Sequence, residues 1–204
     1  MHSIMNMRFE DLKKQLKDLQ KIGEGWRGVV YKGVLNGKVV AVKVPKEPIH
    51  RNAIKKEGSI LKVVNKEGIG GKLILEGDDF IAYEFIEGEP LKKVLNRENA
   101  KIIFSQLLEQ ARKLDLLGIS KDEMHRPHTN VLVDKNLNVH LIDFERARKT
   151  ENIQNVTQLV QYFLSEGSKY LPPFDKDELI EAAREYKKDR SEKNFERIRK
   201  ILGL

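Results

Sequence analysis

Residues 21–43 hold three glycines, Gly23, Gly25 and Gly28, in a G-x-G-x-x-G array. Two β-branched runs come directly after, GVVYKGVL and KVVAVKV, separated by Asn36-Gly37. Glycines at that spacing let the backbone turn tightly and approach phosphate oxygens with no Cβ in the way. The array alone is weak, because the same string joins a strand to a helix in dinucleotide-binding βαβ units. The residues after Gly28 argue against that setting. Asn-Gly is the dipeptide best suited to a two-residue hairpin turn, so these glycines lead into paired strands and not into a helix. Lys43 then sits on the second strand of the hairpin, in a V-A-V-K run.

Ahead of the glycines, Phe9, Leu12, Leu16 and Leu19 recur at helical spacing, predicting an amphipathic lead-in helix over 8–20. Strands are expected over 21–35 and 38–45, and Pro45 and Pro48 break the chain after Lys43. A helix over 50–66 would carry Ile54, Ile60, Leu61 and Val64 on one side, with Glu57 near its middle. Residues 72–86 read as a hairpin around Gly77-Asp78-Asp79. A long helix over 98–117 presents Ile102, Ile103, Leu107, Leu108, Ala111 and Leu114 as a core face. NVLV and VHLIDF flank an Asp-Lys-Asn-Leu-Asn turn and form a further hairpin, with Asn130 before its first strand and Asp143 at the end of its second. Helices over 153–165, 175–188 and 191–202 use nearly all of the remainder.

Composition narrows the class. The 204 residues allow one domain of two lobes or two small domains, and 34% charged residues describe a heavily charged surface. No apolar run approaches the roughly 20 residues of a spanning helix, and the N-terminal stretch lacks the apolar core of a signal peptide. The absence of cysteine excludes disulfides and thiolate metal sites and fits a cytoplasmic location. A net charge of +7 suits a solvated basic surface, with an anionic partner such as RNA as the alternative.

The glycine loop, the hairpin and the V-A-V-K lysine together resemble the protein-kinase superfamily. The resemblance implies an α+β, minimal two-lobed kinase-like fold, with the lead-in helix at 1–20, an N-lobe at 21–86 and a C-lobe at 87–204. It implies ATP and Mg²⁺ as cofactors. Gly23, Gly25 and Gly28 would cradle the phosphates, Val30 and Ala41 would line the nucleotide pocket, and Lys43 would bind the phosphates, fixed by Glu57. The run from Tyr83 to Leu91 looks like a kinase hinge, with the Glu84 carbonyl and the Ile86 N–H meeting the adenine edge and Tyr83 behind it. Asn130 and Asp143 match the metal-binding asparagine and aspartate, as hard oxygen ligands suited to Mg²⁺. The motif here is Asp143-Phe144-Glu145, without its glycine, a variant similar to those of small-molecule kinase relatives.

The segment 118–130 departs from the family pattern. Counting back five residues from Asn130 reaches His125, and the His125-Arg126 pair is followed by Pro127 in place of an acid. Gly118-Ile119-Ser120-Lys121-Asp122-Glu123-Met124 resembles the loop entrance of RIO-type and related atypical kinases, and the chain as a whole looks closest to RIO-like and lipopolysaccharide-kinase-like proteins and to small archaeal serine/threonine kinases. That register puts Glu123 at the catalytic acid, with Asp122 and His125 in reserve. No third ligand with a recognised spacing accompanies His125 and His128, which disfavours a metal site there.

The implied reaction moves the γ-phosphoryl of ATP to a hydroxyl, first of all Ser or Thr of a protein. Two alternatives stand beside it: a kinase of a small or lipid-linked hydroxyl compound, and a nucleotide-binding pseudokinase acting as a switch or scaffold. The expected partners are ATP and the hydroxyl-bearing acceptor, with RNA or ribonucleoprotein contact left open. A monomer is expected.

Overall fold

The computed structural model describes residues 2–3 and 7–204, with side chains from Met7 onward. The chain divides into two compact units, one of residues 1–87 with 143–146 and the other of residues 88–142 with 147–204. The remaining residues of the expected 1–20 segment, 1 and 4–6, lie outside the described ones.

The first unit is built on β1 (His2–Ser3), α1 (Phe9–Lys13), β2 (Lys17–Glu24), β3 (Gly28–Leu35), β4 (Lys38–Pro45), α2 (Arg51–Val64), β5 (Leu73–Glu76) and β6 (Ile81–Glu84). Among the described residues they form a sheet ordered β1-β5-β6-β4-β3-β2, antiparallel except for the β1–β5 pair. The β3–β4 hairpin turns at Asn36 and Gly37, both in the left-handed region at φ 50° and 81°, as the twist-matched two-residue turn requires.

Strand β4 explains why KVVAVKV is apolar almost throughout. Val40, Val42 and Val44 point to one face, where they pack with Phe9, Leu12, Leu75 and Phe80. Ala41 and Lys43 alternate onto the other face. Both faces of the strand are covered, so both parities of the sequence must be buried.

Two expectations change here. The helix expected over 8–20 ends at Lys13, and strand β2 starts at Lys17. β2 carries register irregularities between Lys17 and Gln20, where Asp18 takes φ 53°. An extra residue in one strand resets the two-residue alternation. Leu16 and Leu19, three apart, therefore both pack on the same core, imitating a helical period. Ile102, expected on the core face of the long helix, is 54% exposed.

The second unit contains β7 (Glu89–Pro90), α3 (Leu91–Val94), α4 (Ala100–Leu117), β8 (Ile119–Ser120), α5 (Pro127–Asn130), β9 (Val131–Val133), β10 (Val139–Leu141), β11 (Arg148–Lys149), α6 (Asn155–Leu164), α7 (Lys176–Lys188) and α8 (Glu192–Leu202). The centre is α4, whose Ile103, Phe104, Leu107, Leu108, Ala111 and Leu114 are buried. Phe104 meets Tyr162 and Phe163 of α6 edge-on, at centroid separations of 5.8 and 5.0 Å, the geometry favoured by ring quadrupoles. Helices α7 and α8 start with side-chain caps, Asp175 accepting from the Glu178 N–H and Ser191 from the Asn194 N–H. Among the described residues no helix is long and apolar enough to cross a membrane.

A buried polar network ties α4, α6 and α7 together. Asp115 accepts from the Tyr186 hydroxyl at 2.6 Å and from the Asn155 side-chain amide at 2.9 Å. Arg112 donates to the Tyr186 oxygen and to the Arg190 carbonyl. Burial pushes the Asp115 carboxyl up, and the Tyr186 and Asn155 bonds pull it back toward the ionised form. Tyr186→Phe removes one of those bonds, and a buried acceptor left unpaired costs about 1–3 kcal/mol. The folded-state pKa of Asp115 then rises further above the unfolded value, so the loss is full above that raised pKa and shrinks as pH falls through it toward the ordinary aspartate range. Urea unfolding at several pH values checks this. A loss independent of pH would show that the hydroxyl matters only for packing.

Candidate functional site

In the first unit the site grows from strand register. Val30 lies opposite Lys43 in the β3–β4 ladder, and Ala41 opposite Tyr83 in the β4–β6 ladder. Directly opposed residues share a face, so Val30, Ala41, Lys43 and Tyr83 line the same side of the sheet. Helix α2 crosses that side closely because of Gly58. A Cβ there would come within 2.7 Å of Glu76 Oε1 and 2.9 Å of Ile81 Cγ2. Gly58 lowers helix propensity and removes the side chain that would hold α2 off the strands. Its neighbour Glu57 thereby reaches Lys43.

Lys43 Nζ donates to Glu57 Oε1 at 2.9 Å. Both residues are buried, 6% and 3% exposed. Asp143 Oδ1 and Glu145 Oε2 each lie 3.5 Å from the same ammonium. Burial alone would lower the Lys43 pKa, but the Glu57 and Asp143 carboxylates outweigh it and hold the ammonium above the usual lysine range. Burial pushes the Glu57 carboxyl up, against the pull of the Lys43 charge. Glu57 Oε2 is buried and has no hydrogen-bond partner among the described residues.

The glycine loop closes over this cluster. The Gly25 N–H donates to the Gly28 carbonyl at 2.8 Å, which folds the loop back on itself. A Cβ on Gly28 would lie 3.0 Å from Lys43 Cε and 3.2 Å from Ile54 Cδ1, a tight fit in which the lysine stem or Ile54 would have to give by a few tenths of an ångström. Gly23 lies opposite Val30 in the β2–β3 pairing. Trp26, at the loop tip, is 79% exposed. Glu84 closes β6, its N–H bonded to the Lys72 carbonyl and its carboxylate to Lys38. Ile86 lies just beyond the strand.

Residues 143–146 join the first unit by way of Phe144, which is 2% exposed. Its ring edge would touch a Cβ on Gly70 at 3.2 Å. Asp143 takes φ 62°, a left-handed conformation uncommon for a residue other than glycine. Its Oδ1 accepts from the Glu145 N–H at 3.2 Å, and 46% of its side chain stays exposed.

The second unit carries the other expected residues. Glu123 Oε2 accepts from Asn130 Nδ2 at 2.7 Å and lies 3.7 Å from Lys121 Nζ. Lys121 is 1% exposed, a burial that lysine tolerates only when paired. Asp122, at φ 68°, points elsewhere, accepting from Ser120 Oγ and pairing with Arg148. His125 is half-buried on the segment between Glu123 and α5. His128 lies between the Tyr162 hydroxyl at 2.9 Å and Glu166 Oε2 at 3.2 Å. Among the described residues, no group of three or more His, Cys, Asp or Glu is placed to hold a metal. Asn130 is also tied through its carbonyl, which accepts from the N–H of Ile142 at 3.1 Å.

Two residues of α6 hold this loop in shape. Asn155 Oδ1 accepts from the Lys121 N–H, and Gln158 Oε1 from the Met124 N–H. Neither has a sequence signal, since each is distant along the chain from the loop it holds. Glu145 stands out in the sequence only as a missing glycine.

Breaking one half of the Lys43–Glu57 pair leaves an uncompensated buried charge, which costs about 3–5 kcal/mol. Lys43→Met should therefore destabilise strongly, and Lys43→Met with Glu57→Met should recover most of the loss. Denaturant unfolding of the two single variants and the double variant measures the coupling. Additive losses would mean that the pair contributes only packing.

Comparison with known proteins places this geometry. The family model for protein tyrosine and serine/threonine kinases matches residues 16–165. The chain is 28% identical to Protein LYK5 of Arabidopsis thaliana over 187 residues, 84% of this chain and 27% of that protein. It is 30% identical to leaf rust 10 disease-resistance locus receptor-like protein kinase-like 2.3 of the same plant, over 78% of this chain and 27% of the relative. With the putative serine/threonine-protein kinase YrzF of Bacillus subtilis it shares 26% identity, over 72% of this chain and 67% of the relative. The chain thus spans under a third of the plant proteins it matches. The glycine loop, the buried lysine–glutamate pair and the Asp143 segment all fall within the matched region, and the chain belongs to the protein tyrosine and serine/threonine kinase family.

Proposed function

We propose that the protein is an ATP-dependent phosphotransferase acting on a hydroxyl, with Ser or Thr of a protein as the first acceptor class. One observation carries the reading: a buried lysine held by a helix glutamate, with a half-exposed aspartate 3.5 Å from its ammonium. A structural ion pair needs no second carboxylate. A lysine meant for phosphates needs a fixed position, a full charge and an approach for the ligand.

In this reading Val30 and Ala41 receive the adenine, whose edge meets the Glu84 carbonyl and the Ile86 N–H. Gly23, Gly25 and Gly28 let the loop backbone approach the phosphates with no Cβ in the way, and Lys43 binds them. The oxygens of Asn130 and Asp143 would hold Mg²⁺, hard ligands suited to a hard cation. When bound, the cation neutralises charge on the phosphate oxygens. The acceptor hydroxyl oxygen forms the new bond to the γ-phosphorus while the bond from that phosphorus to the bridging oxygen of ADP breaks. Glu123 takes the hydroxyl proton. Its hydrogen bond from Asn130 and its ion pair with Lys121 fix the direction of its longer arm. Positioning and charge neutralisation supply most of the acceleration in phosphoryl transfer, so glutamate in place of aspartate is compatible with turnover.

A second reading, a nucleotide-binding switch without turnover, draws on the same Glu123. Its carboxylate is already engaged by Asn130 and Lys121. Mg²⁺-dependent ATP turnover and autophosphorylation separate the two. The enzyme reading predicts that Glu123→Ala and Asp143→Ala each lower the rate by at least about 10²-fold, while Asp122→Ala, whose partners are Ser120 and Arg148, keeps it within a few-fold. Tight ATP binding by the wild type with no turnover, across broad pools of acceptors, would favour the switch.

A further inference from the structure

We propose that Glu145 is a built-in competitor of the nucleotide's phosphates, a carboxylate of the chain held on the two cations that a bound triphosphate would take. The inference rests on the reading of the first unit as a nucleotide site. It concerns the residue that stands in this chain where the family pattern has glycine.

Four observations carry it. Glu145 Oε2 lies 3.5 Å from Lys43 Nζ. Glu145 Oε1 lies 3.9 Å from Nε of Arg27, which belongs to the glycine loop. A Cβ on Gly25 would be 3.9 Å from Glu145 Oε2, so the carboxylate faces the loop within van der Waals reach of a first side-chain atom there. The side chain is 13% exposed, which removes most of the solvent screening that weakens surface ion pairs. One carboxylate thus bridges strand lysine and loop arginine, on the side of the sheet lined by Val30 and Ala41.

The charge balance gives this contact a consequence. Glu57 already matches the Lys43 charge, and Asp143 adds a further carboxylate beside it. A polyanion arriving at Lys43 therefore meets Glu145 as a like charge on ground it must occupy. Glycine at the same position would present no such charge and no side chain. Nucleotide binding requires Glu145 to leave Lys43 and Arg27, so the apparent affinity is the intrinsic one reduced by the fraction of molecules with the carboxylate displaced. A contact closed nine-tenths of the time weakens phosphate binding about tenfold. The same factor applies to any ligand whose phosphates must take that ground, and an uncharged nucleoside, which does not reach it, is left untouched.

The chain supplies its own reporter. Its one tryptophan is Trp26, between Gly25 and Arg27 at the exposed loop tip. Trp26 emission, backed by calorimetry, should be monitored while wild type and Glu145→Gln are titrated with ATP and, separately, with adenosine. Each titration is run in EDTA and again with Mg²⁺. The expected result is ATP binding about tenfold tighter in Glu145→Gln than in wild type in EDTA, with adenosine binding the same in both. Equal or weaker ATP binding by the variant in EDTA overturns the proposal. So does an equal gain for ATP and adenosine, which would mark a loosened site and not a removed charge. A loss seen only with Mg²⁺ would make Glu145 a metal ligand, and also overturns it. If neither ligand binds either protein, the nucleotide-site reading itself fails and the competitor falls with it.

Discussion

The first unit depends on an ammonium that cannot be solvated. Lys43 is buried on the inner strand of its sheet, and only carboxylates can hold it charged there. That requirement reaches outward through the unit. It places a glutamate on α2, and a glycine beside that glutamate so that the helix can come close. It favours glycine at the start of β3, where a Cβ would press on the lysine stem and Ile54. It also gives residues 143–146 a reason to fold with the first unit, since two of the four carry carboxylates onto the same cation. A buried pair of this kind is poor evidence for stability, because hydrophobic replacements often do as well. Its presence points to a use for the charge, and phosphate binding is the use the surrounding residues suit.

Much of this is legible in the sequence because the signals are local. The Asn36-Gly37 turn, the V-A-V-K run and the glycine spacing each specify backbone geometry within a few residues. The helix around Glu57 is legible from its period, and the partner of Glu57 only through the family resemblance. The failures have equally local causes. Leu16 and Leu19 obey a helical spacing yet pack beside an irregular strand, because β2 around Asp18 shifts the alternation. Gly58 reads as a helix defect, and its purpose is visible only where Glu76 and Ile81 crowd it.

The loop of the second unit is the least legible part, since its order comes from afar. Lys121 and Met124 are fixed through their N–H groups by Asn155 and Gln158 of α6. Asn155 is in turn held by Asp115 of α4. No spacing rule links three such positions. Asp122 and Glu123 are adjacent acids that only the family register ranks, with Glu123 first and Asp122 in reserve. The structure separates them, turning Asp122 to Arg148 and Ser120 and Glu123 to Asn130 and Lys121. Glu145 shows the converse. Its departure from the family pattern is plain in the sequence, while its contacts with Lys43 and Arg27 are not.

The central claim is that Lys43 is the residue that meets the phosphates of ATP. An ATP acyl-phosphate tests it chemically, because the mixed anhydride acylates an amine lying against the terminal phosphates and leaves the label on that lysine. Peptide mass spectrometry of the whole protein after labelling should find Lys43 modified, with free ATP protecting it and the other lysines of the chain little changed. Labelling spread over surface lysines, insensitive to ATP and sparing Lys43, would contradict the account.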